Sequence, residues 1–343
     1  MSQGLIKAWY QGAWWLWLLW PLSILYRVLR RLSISLAGTP APNNLPLLVV
    51  GNISLGGTGK TPVVQALVKV LSARGICCGI ISRGYGGSVG KGPHIVGSTD
   101  TPSTVGDEPL LLWQSTGVPV VVGSDRQADI KCLTDKFSLD LIISDDGLQN
   151  QSIKGDCEWL LIDGQRGLGN GQCLPMGPLR EPASRLHTVD AVFITGSSTS
   201  NSSNEFASKV PSYQLVPRLV HLKRVYDDQI VTWPEAGTQV QALAGTGNPQ
   251  RFFSDLKAMN LQVEASAFKD HHDFIAADLV PFHDSILIMT AKDAVKCKAI
   301  ATSQNQPQNL NWYYAEQGLD IPEPAIAALL NKLHLDANKD HHG

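Results

Sequence analysis

Eight consecutive residues, Ser54, Leu55, Gly56, Gly57, Thr58, Gly59, Lys60 and Thr61, have the types that phosphate chemistry needs. Backbone N–H groups converge on phosphate oxygens only where the chain wraps closely, and residues without a Cβ permit that wrap. Lys60 adds a full positive charge, and the Thr61 hydroxyl suits a magnesium ion. The general pattern opens on glycine, whereas Ser54 stands there in this chain. The elements on either side separate a phosphate loop from an ordinary glycine turn. Residues 45–50 form an apolar run that reads as a buried strand. Val63, Val64, Leu67, Val68 and Leu71 then recur at helical spacing, with Pro62 in the first turn. Strand, glycine loop and helix in that order are the setting a phosphate loop requires.

A second group of polar residues follows other apolar runs. Asp145 and Asp146 close the run from Leu139 to Ser144 and lead into Gly147-Leu148-Gln149. An apolar strand ending in an acid matches the second magnesium-binding element of phosphate-loop enzymes, although a solvated Asp-Asp turn has the same spelling. Asp107 and Glu108 precede an apolar stretch and, taken alone, read as first-turn partners of a helix dipole. Arg83 and Tyr85 lie in SRGYGG, Arg126 follows Asp125, and Arg180 and Glu181 sit in the Gly/Pro-rich segment 167–182. The stretch from Lys269 to Phe274 holds His271 and His272 beside two acids. Adjacent residues rarely ligate one ion together, so a single active histidine is expected there rather than a zinc site.

The elements that would position these residues are short apolar runs at Cys77–Ser82, Val118–Val122, Leu139–Ser144, Trp159–Ile162 and Ala191–Thr195, separated by helical or loop segments. Such alternation predicts an α/β fold with a parallel sheet, in which ligands gather beyond the carboxyl ends of the strands. A polar, low-complexity loop is expected from Gly196. A β-hairpin is expected over Leu219–Trp233, and it opens a second, smaller α/β unit. The strands of that unit are placed at Val240–Ala244, Gln262–Phe268, Ile286–Thr290 and Leu310–Tyr314, with helices at Pro249–Met259 and near Pro324–Leu333. The resulting division is 1–35 for an N-terminal helix, 36–217 for the phosphate-loop unit and 218–343 for the second unit.

From Ala8 to Tyr26 the chain carries no charge and holds Trp9, Trp14, Trp15, Trp17 and Trp20. As one helix it would reach roughly 28 Å, about the thickness of a bilayer core. Its indole rings and Pro21 favour the headgroup boundary instead, with Arg27, Arg30 and Arg31 against anionic lipid. A formal net charge of −2 gives no electrostatic case for nucleic acid. The six cysteines include no C-x-x-C pair, which argues against a zinc or disulfide framework.

Together GNISLGGTGKTP, SRGYGG, VGDEP, DDGLQ, GPLREP, AGTGNPQRFF, the DHHDF cluster and MTAKDAVK make the chain resemble the tetraacyldisaccharide 4′-kinases, membrane-associated enzymes of lipid A (lipopolysaccharide) biosynthesis. The resemblance spans nearly the whole length and includes Ser54. Ala291 departs from it, standing where an acid is usual, as does Met176, which replaces a smaller residue. It implies ATP and Mg2+ as cofactors and transfer of the γ-phosphate to the 4′-hydroxyl of a tetraacyl disaccharide 1-phosphate. Carried over, Asp107 takes the hydroxyl proton and His271 orients it. Residues 54–61 hold the nucleotide, and Thr61 with Asp145, Asp146 or Gln149 holds magnesium. Arg83, Tyr85, Glu108, Arg126, Arg180 and Glu181 are the substrate-contact candidates. The implied location is the cytoplasmic face of the inner membrane, with attachment through the N-terminal helix. The acylated lipid and the membrane surface are the implied partners, and no protein partner is named.

Overall fold

The computed structural model describes residues 3–38, 40, 42–90, 92–196, 210–303 and 307–335. The loop expected after Gly196 and the tail after Leu335 lie outside the described residues. The chain opens with α1 (Gln3–Gln11), a 3-10 turn (Trp14–Leu19) and α2 (Trp20–Leu36). The single helix expected from Ala8 to Tyr26 does not form. Gly12 adopts φ +67° and Ala13 is extended, which ends α1 and redirects the chain. Among the described residues, no helix is long and apolar enough to cross a membrane.

The first unit contains β1 (Leu47–Asn52), α3 (Lys60–Ser72), β2 (Cys78–Ser82), β3 (His94–Ile95), α4 (Pro102–Val105) and α5 (Asp107–Thr116). It continues with β4 (Val120–Val122), α6 (Arg126–Lys136), β5 (Leu141–Asp145), β6 (Cys157–Asp163), β7 (Ala191–Thr195) and β8 (Ser212–Leu215). These strands form one sheet in the order β3-β4-β2-β5-β1-β6-β7-β8, parallel except where β3 runs against β4. Leu48, Val50 and Ile80 face α3, whose Val63, Val64, Leu67, Val68 and Leu71 complete that core. Leu47, Val49 and Ile142 face the other way, towards Ile130 and Leu133 of α6. Burial on both faces accounts for the unbroken apolar runs that the sequence shows.

The second unit contains β9 (Arg218–Arg224), β10 (Ile230–Val231), β11 (Gln239–Ala244), α7 (Pro249–Ala258), β12 (Gln262–Ala267), α8 (Ala276–Leu279), β13 (Leu287–Thr290), α9 (Ala291–Thr302) and β14 (Trp312–Gly318). Its sheet runs β10-β9-β14-β13-β11-β12, with the expected hairpin at β9 and β10. The last helix, α10 (Glu323–Leu333), returns to the first unit and places Ala325, Ile326 and Leu329 in the same core as Leu67 and Phe193. Arg74–Glu323 and Lys332–Asp190 ion pairs fasten it there. The apolar face of α10 thus finds its partner on the first sheet, while β9 to β14 share a sheet of their own.

Candidate active site

In the central strand pairing, β1 lies beside β5 with Val50 opposite Asp145, so the glycine loop and the Asp145-Asp146 corner leave the sheet side by side. Asn52, at the end of β1, braces the loop from within. Its Nδ2 donates to Ser54 O at 2.9 Å, and its Oδ1 accepts from Lys60 Nζ at 3.5 Å. Leu55 N donates to Pro178 O at 2.9 Å, and Thr195 Oγ1 donates to Thr58 O at 2.9 Å. Gly59 turns into α3 at φ +81°, a conformation that favours glycine.

Lys60 Nζ stands 3.4 Å from Asp146 Oδ1. Asp146 occupies the left-handed region at φ 53°, which is uncommon for a residue with a side chain and is concentrated at functional sites. Asp145 is 2% exposed. Burial, with Glu108 adding to it, pushes its carboxyl up, against the pull of Lys60. Asp145 Oδ1 and Thr58 Oγ1 are buried without a hydrogen-bond partner, and Asp146 Oδ1 has only the Lys60 ion pair. Orphaned oxygens beside a phosphate loop fit a hard divalent cation such as magnesium. Among the described residues no group of three or more His, Cys, Asp or Glu could hold a metal by itself, and magnesium commonly takes one or two carboxylates together with water and phosphate oxygens.

Gln149, expected as a metal ligand, is held by three neighbours at the edge of the same cavity. Its Nε2 donates to Asn52 O at 2.8 Å and Glu181 Oε1 at 2.7 Å, and its Oε1 accepts from Arg180 Nη1 at 3.2 Å. Two substrate candidates are engaged in the same way. Glu181 is 7% exposed and pairs with Arg30 at 3.2 Å and Arg185 at 3.4 Å. Arg126 is 2% exposed and commits its guanidinium to Asp129 at 3.3 Å. Arg180 reaches Asp146 at 3.4 Å. Arg83 and Tyr85 are exposed on the wall of one cavity of about 1210 Å³, which the glycine loop, Glu108 and His271 also line.

Asp107 and His271 are 164 residues apart in sequence, yet His271 Nδ1 lies 3.2 Å from the Asp107 carboxylate. Two elements bring them together: α5 starts at Asp107 and packs on α9, while the turn after β12 holds His271 at φ 59°. His271 faces the cavity, with the Tyr85 ring 5.2 Å away, and Asp107 lies behind it at 4% exposure. Burial alone would raise the Asp107 carboxyl, but His271, Lys292 and Lys296 together outweigh it and hold the group well below the usual carboxylate range. The bond to Asp107 in turn raises the imidazole against the effects of burial and Lys292. His272 plays no part here: its Nε2 meets Asp278 at 3.0 Å, and its ring packs on Phe268 and Phe274.

Residue types and spacing alone do not single out Lys292, Lys296 or Arg166. The lysines were visible only as letters in MTAKDAVK, and no signal marked Arg166, whose guanidinium donates to Gly247 O and so ties the first unit to the loop after β11. Met176, one of the departures noted in the sequence, is 2% exposed and packs with Ala8, Trp9 and Leu16. Its extra bulk contributes to the seat of the N-terminal segment. Ala291 begins α9 behind Thr290, whose hydroxyl accepts from Asp293 N.

Residues 15–334 match the family model described as tetraacyldisaccharide-1-P 4′-kinase. A tetraacyldisaccharide 4′-kinase of Pseudomonas aeruginosa is 42% identical over 95% of this chain and 96% of its own length. One from Pseudomonas fluorescens is 43% identical over 96% and 95% respectively. The solved LpxK from Aquifex aeolicus in complex with ATP superposes with a TM-score of 0.75 at 26% identity, covering 91% of this chain and 97% of that one. With sequence and fold in agreement over nearly its full length, the chain belongs to the tetraacyldisaccharide-1-P 4′-kinase family.

Proposed function

We propose that this chain uses ATP and magnesium to phosphorylate the 4′-hydroxyl of a tetraacyl disaccharide 1-phosphate, with the glycine loop as donor site and the Asp107–His271 pair as proton acceptor. The observation that carries this reading is the His271–Asp107 contact at 3.2 Å beside the cavity that the glycine loop lines. Phosphoryl transfer asks the protein for alignment and charge neutralisation more than for covalent chemistry. Lys60 and the loop N–H groups would take the β- and γ-phosphate oxygens, and Thr61, Asp145 and Asp146 would hold the cation, which neutralises charge on those oxygens. Asp107, ion-paired with His271 at 3.2 Å, would accept the hydroxyl proton through that pair. Arg83 and Arg180 are the remaining guanidinium candidates for phosphate on donor or acceptor.

The decisive assay mixes γ-labelled ATP, magnesium and the tetraacyl disaccharide 1-phosphate in mixed micelles. Label is expected in a doubly phosphorylated lipid. Label found only in inorganic phosphate would overturn the reading, as would a preference for GTP without lipid product.

A lipid substrate requires a lipid-facing surface, and Trp14 (77% exposed), Trp17 (65%), Leu18 (74%) and Leu36 (86%) offer one along the N-terminal turn and α2. An apolar patch of this kind marks an interaction site, and its indoles suit the headgroup level. Arg27 and Arg31 are exposed beside it, consistent with anionic lipid at the cytoplasmic face of the inner membrane and monotopic attachment. Arg30 instead turns inward to Glu181 and to Arg180 O, because the acid and carbonyl there need a donor.

The segment is also fastened to the body, through Trp9 Nε1 to Pro175 O at 3.0 Å and Ser23 Oγ to Cys173 O at 2.8 Å. Deleting it would disturb that packing, so point changes on its exposed side are the cleaner probe. Trp14→Glu/Trp17→Glu/Leu18→Glu is expected to weaken co-sedimentation with phosphatidylglycerol vesicles about tenfold or more with the thermal midpoint unchanged. Undiminished sedimentation would place the anchor elsewhere.

A further inference from the structure

Two lysines that the reaction scheme above leaves unused converge on its base. Lys296 Nζ is 3.2 Å and Lys292 Nζ 3.6 Å from Asp107 Oδ2, and their side chains are only 7% and 16% exposed. Lys292 also lies 3.1 Å from Glu108, 3.4 Å from Asp270 and 3.3 Å from His271 Nε2. Lys296 donates to His272 O at 3.1 Å, which fixes it to the turn that carries His271. Both lysines stand on α9 of the second unit, whereas Asp107 and Glu108 open α5 of the first.

We propose that Lys292 and Lys296 are positioning residues. They deliver two positive charges from the second unit to the Asp107–His271 pair, keep Asp107 ionised, and orient the imidazole with its Nδ1 proton towards Asp107. This inference rests on the reading of Asp107 as the proton acceptor.

The tautomer argument is specific. An ammonium group offers only donors, so beside Lys292 the Nε2 of His271 must accept, and the ring proton then lies on Nδ1, facing Asp107. Imidazolium would set two donors against each other at 3.3 Å. Lys292 therefore favours the neutral ring that Asp107 alone would tend to protonate. The charged and titratable groups around the pair are Glu108 on α5, Tyr85 on the glycine loop 84–87, Asp270 on the turn after β12, and Lys292 and Lys296 on α9. Asp293 of α9 turns away, with its carboxylate on Gly245 N and the Thr290 hydroxyl. Arg83 of the neighbouring loop stands near Arg126.

The test compares Lys292→Met, Lys292→Arg and Lys296→Met in the full-length chain. NMR follows the His271 imidazole titration, and kinetics are measured alongside ATP binding. In Lys292→Met the His271 midpoint is expected to rise by about one pH unit, because a like charge has been removed from Nε2. Its kcat should fall with ATP affinity unchanged, and Lys292→Arg should restore both the midpoint and part of kcat. A purely structural lysine would not move the imidazole in that direction.

If Lys292→Met shows a wild-type kcat and an unmoved His271 midpoint while Asp107→Ala is inactive, this inference fails and the proposed reaction stands. If Asp107→Ala keeps its turnover, the base assignment itself fails. Lys296 is the more buried of the two, so should Lys296→Met not fold, the Lys292 pair of variants decides the question alone.

Discussion

Asp107→Ala is expected to lower turnover by a factor on the order of 100 or more, the usual cost of losing a positioned general base, while ATP binding measured by calorimetry stays within about twofold. The separation follows from geometry. Asp107 lies at the start of α5 against His271, Lys292 and Lys296, whereas the residues that would hold nucleotide phosphates belong to the loop after β1. Asp107→Asn keeps the shape and loses the charge, so it should fall almost as far. His271→Ala should fall less, because it removes the orienting partner and leaves the acceptor. Near-full turnover in Asp107→Asn would refute the assignment.

The same carboxylate lies in the contact between the two units. Its pKa is lowered in the folded chain, so its ion pairs contribute stability that is complete above the ordinary aspartate value of about 3.9 and is lost as pH falls towards the lower folded value. His271 is shifted in the opposite direction. Its contribution is full below the ordinary histidine value of about 6.5 and declines as pH rises through the higher folded value. Between those limits both groups hold the second unit against α5. Contact between the units thus depends on the same cluster of charges that surrounds the proposed proton acceptor.

The parts of the site legible in the sequence were those whose chemistry is local. A glycine loop needs its residues in a row, and an acid ending a buried strand is adjacent to the run that announces it, so residues 54–61 and Asp145-Asp146 stood out. The strands of the first sheet did too, because burial on both faces writes them as unbroken apolar runs. Edge strands carry no such signature: β8 is half exposed and β3 has two residues, and neither was anticipated.

Contacts between units were equally silent. Asp107 read as a helix-dipole partner, which it also is in this fold, since Glu108 N donates to its Oδ1 at 3.1 Å. Only the fold, or a resemblance to a known family, brings it to His271. Gln149, Glu181 and Arg126 carry the polar types of site residues and also bond to their neighbours here, and an amide or ion pair beneath a site is spelled the same way as one within it. Where α10 belongs was also hidden, since amphipathicity shows that a helix has a buried face and does not show which sheet covers it.

Lys60→Ala is expected to produce the opposite pattern to Asp107→Ala: ATP affinity and turnover fall together, with kcat/KM for ATP down by about two to three orders of magnitude, as for other donors that stabilise transition-state charge. Lys60 stands 3.4 Å from Asp146 with its side chain 12% exposed, and it counters the burial that raises Asp145. Removing it takes a positive charge from the phosphates and leaves two acids facing the same space, with Arg180, 3.4 Å from Asp146, and the buried Arg126 as counter-charges. Magnesium added to the variant should recover part of the ATP affinity, since a divalent cation neutralises the same acids, but turnover should stay low because the γ-phosphate oxygens still lack their donor. Lys60→Arg should not rescue. The compact ammonium sits between Asn52 Oδ1 at 3.5 Å and Asp146, and a planar guanidinium is too broad for that gap. Calorimetry with ATP in the presence and absence of magnesium, paired with the lipid assay, separates the two variants. If Lys60→Ala binds ATP as tightly as the unaltered chain, the glycine loop is not the donor site, and the division of labour between α3 and α5 is wrong.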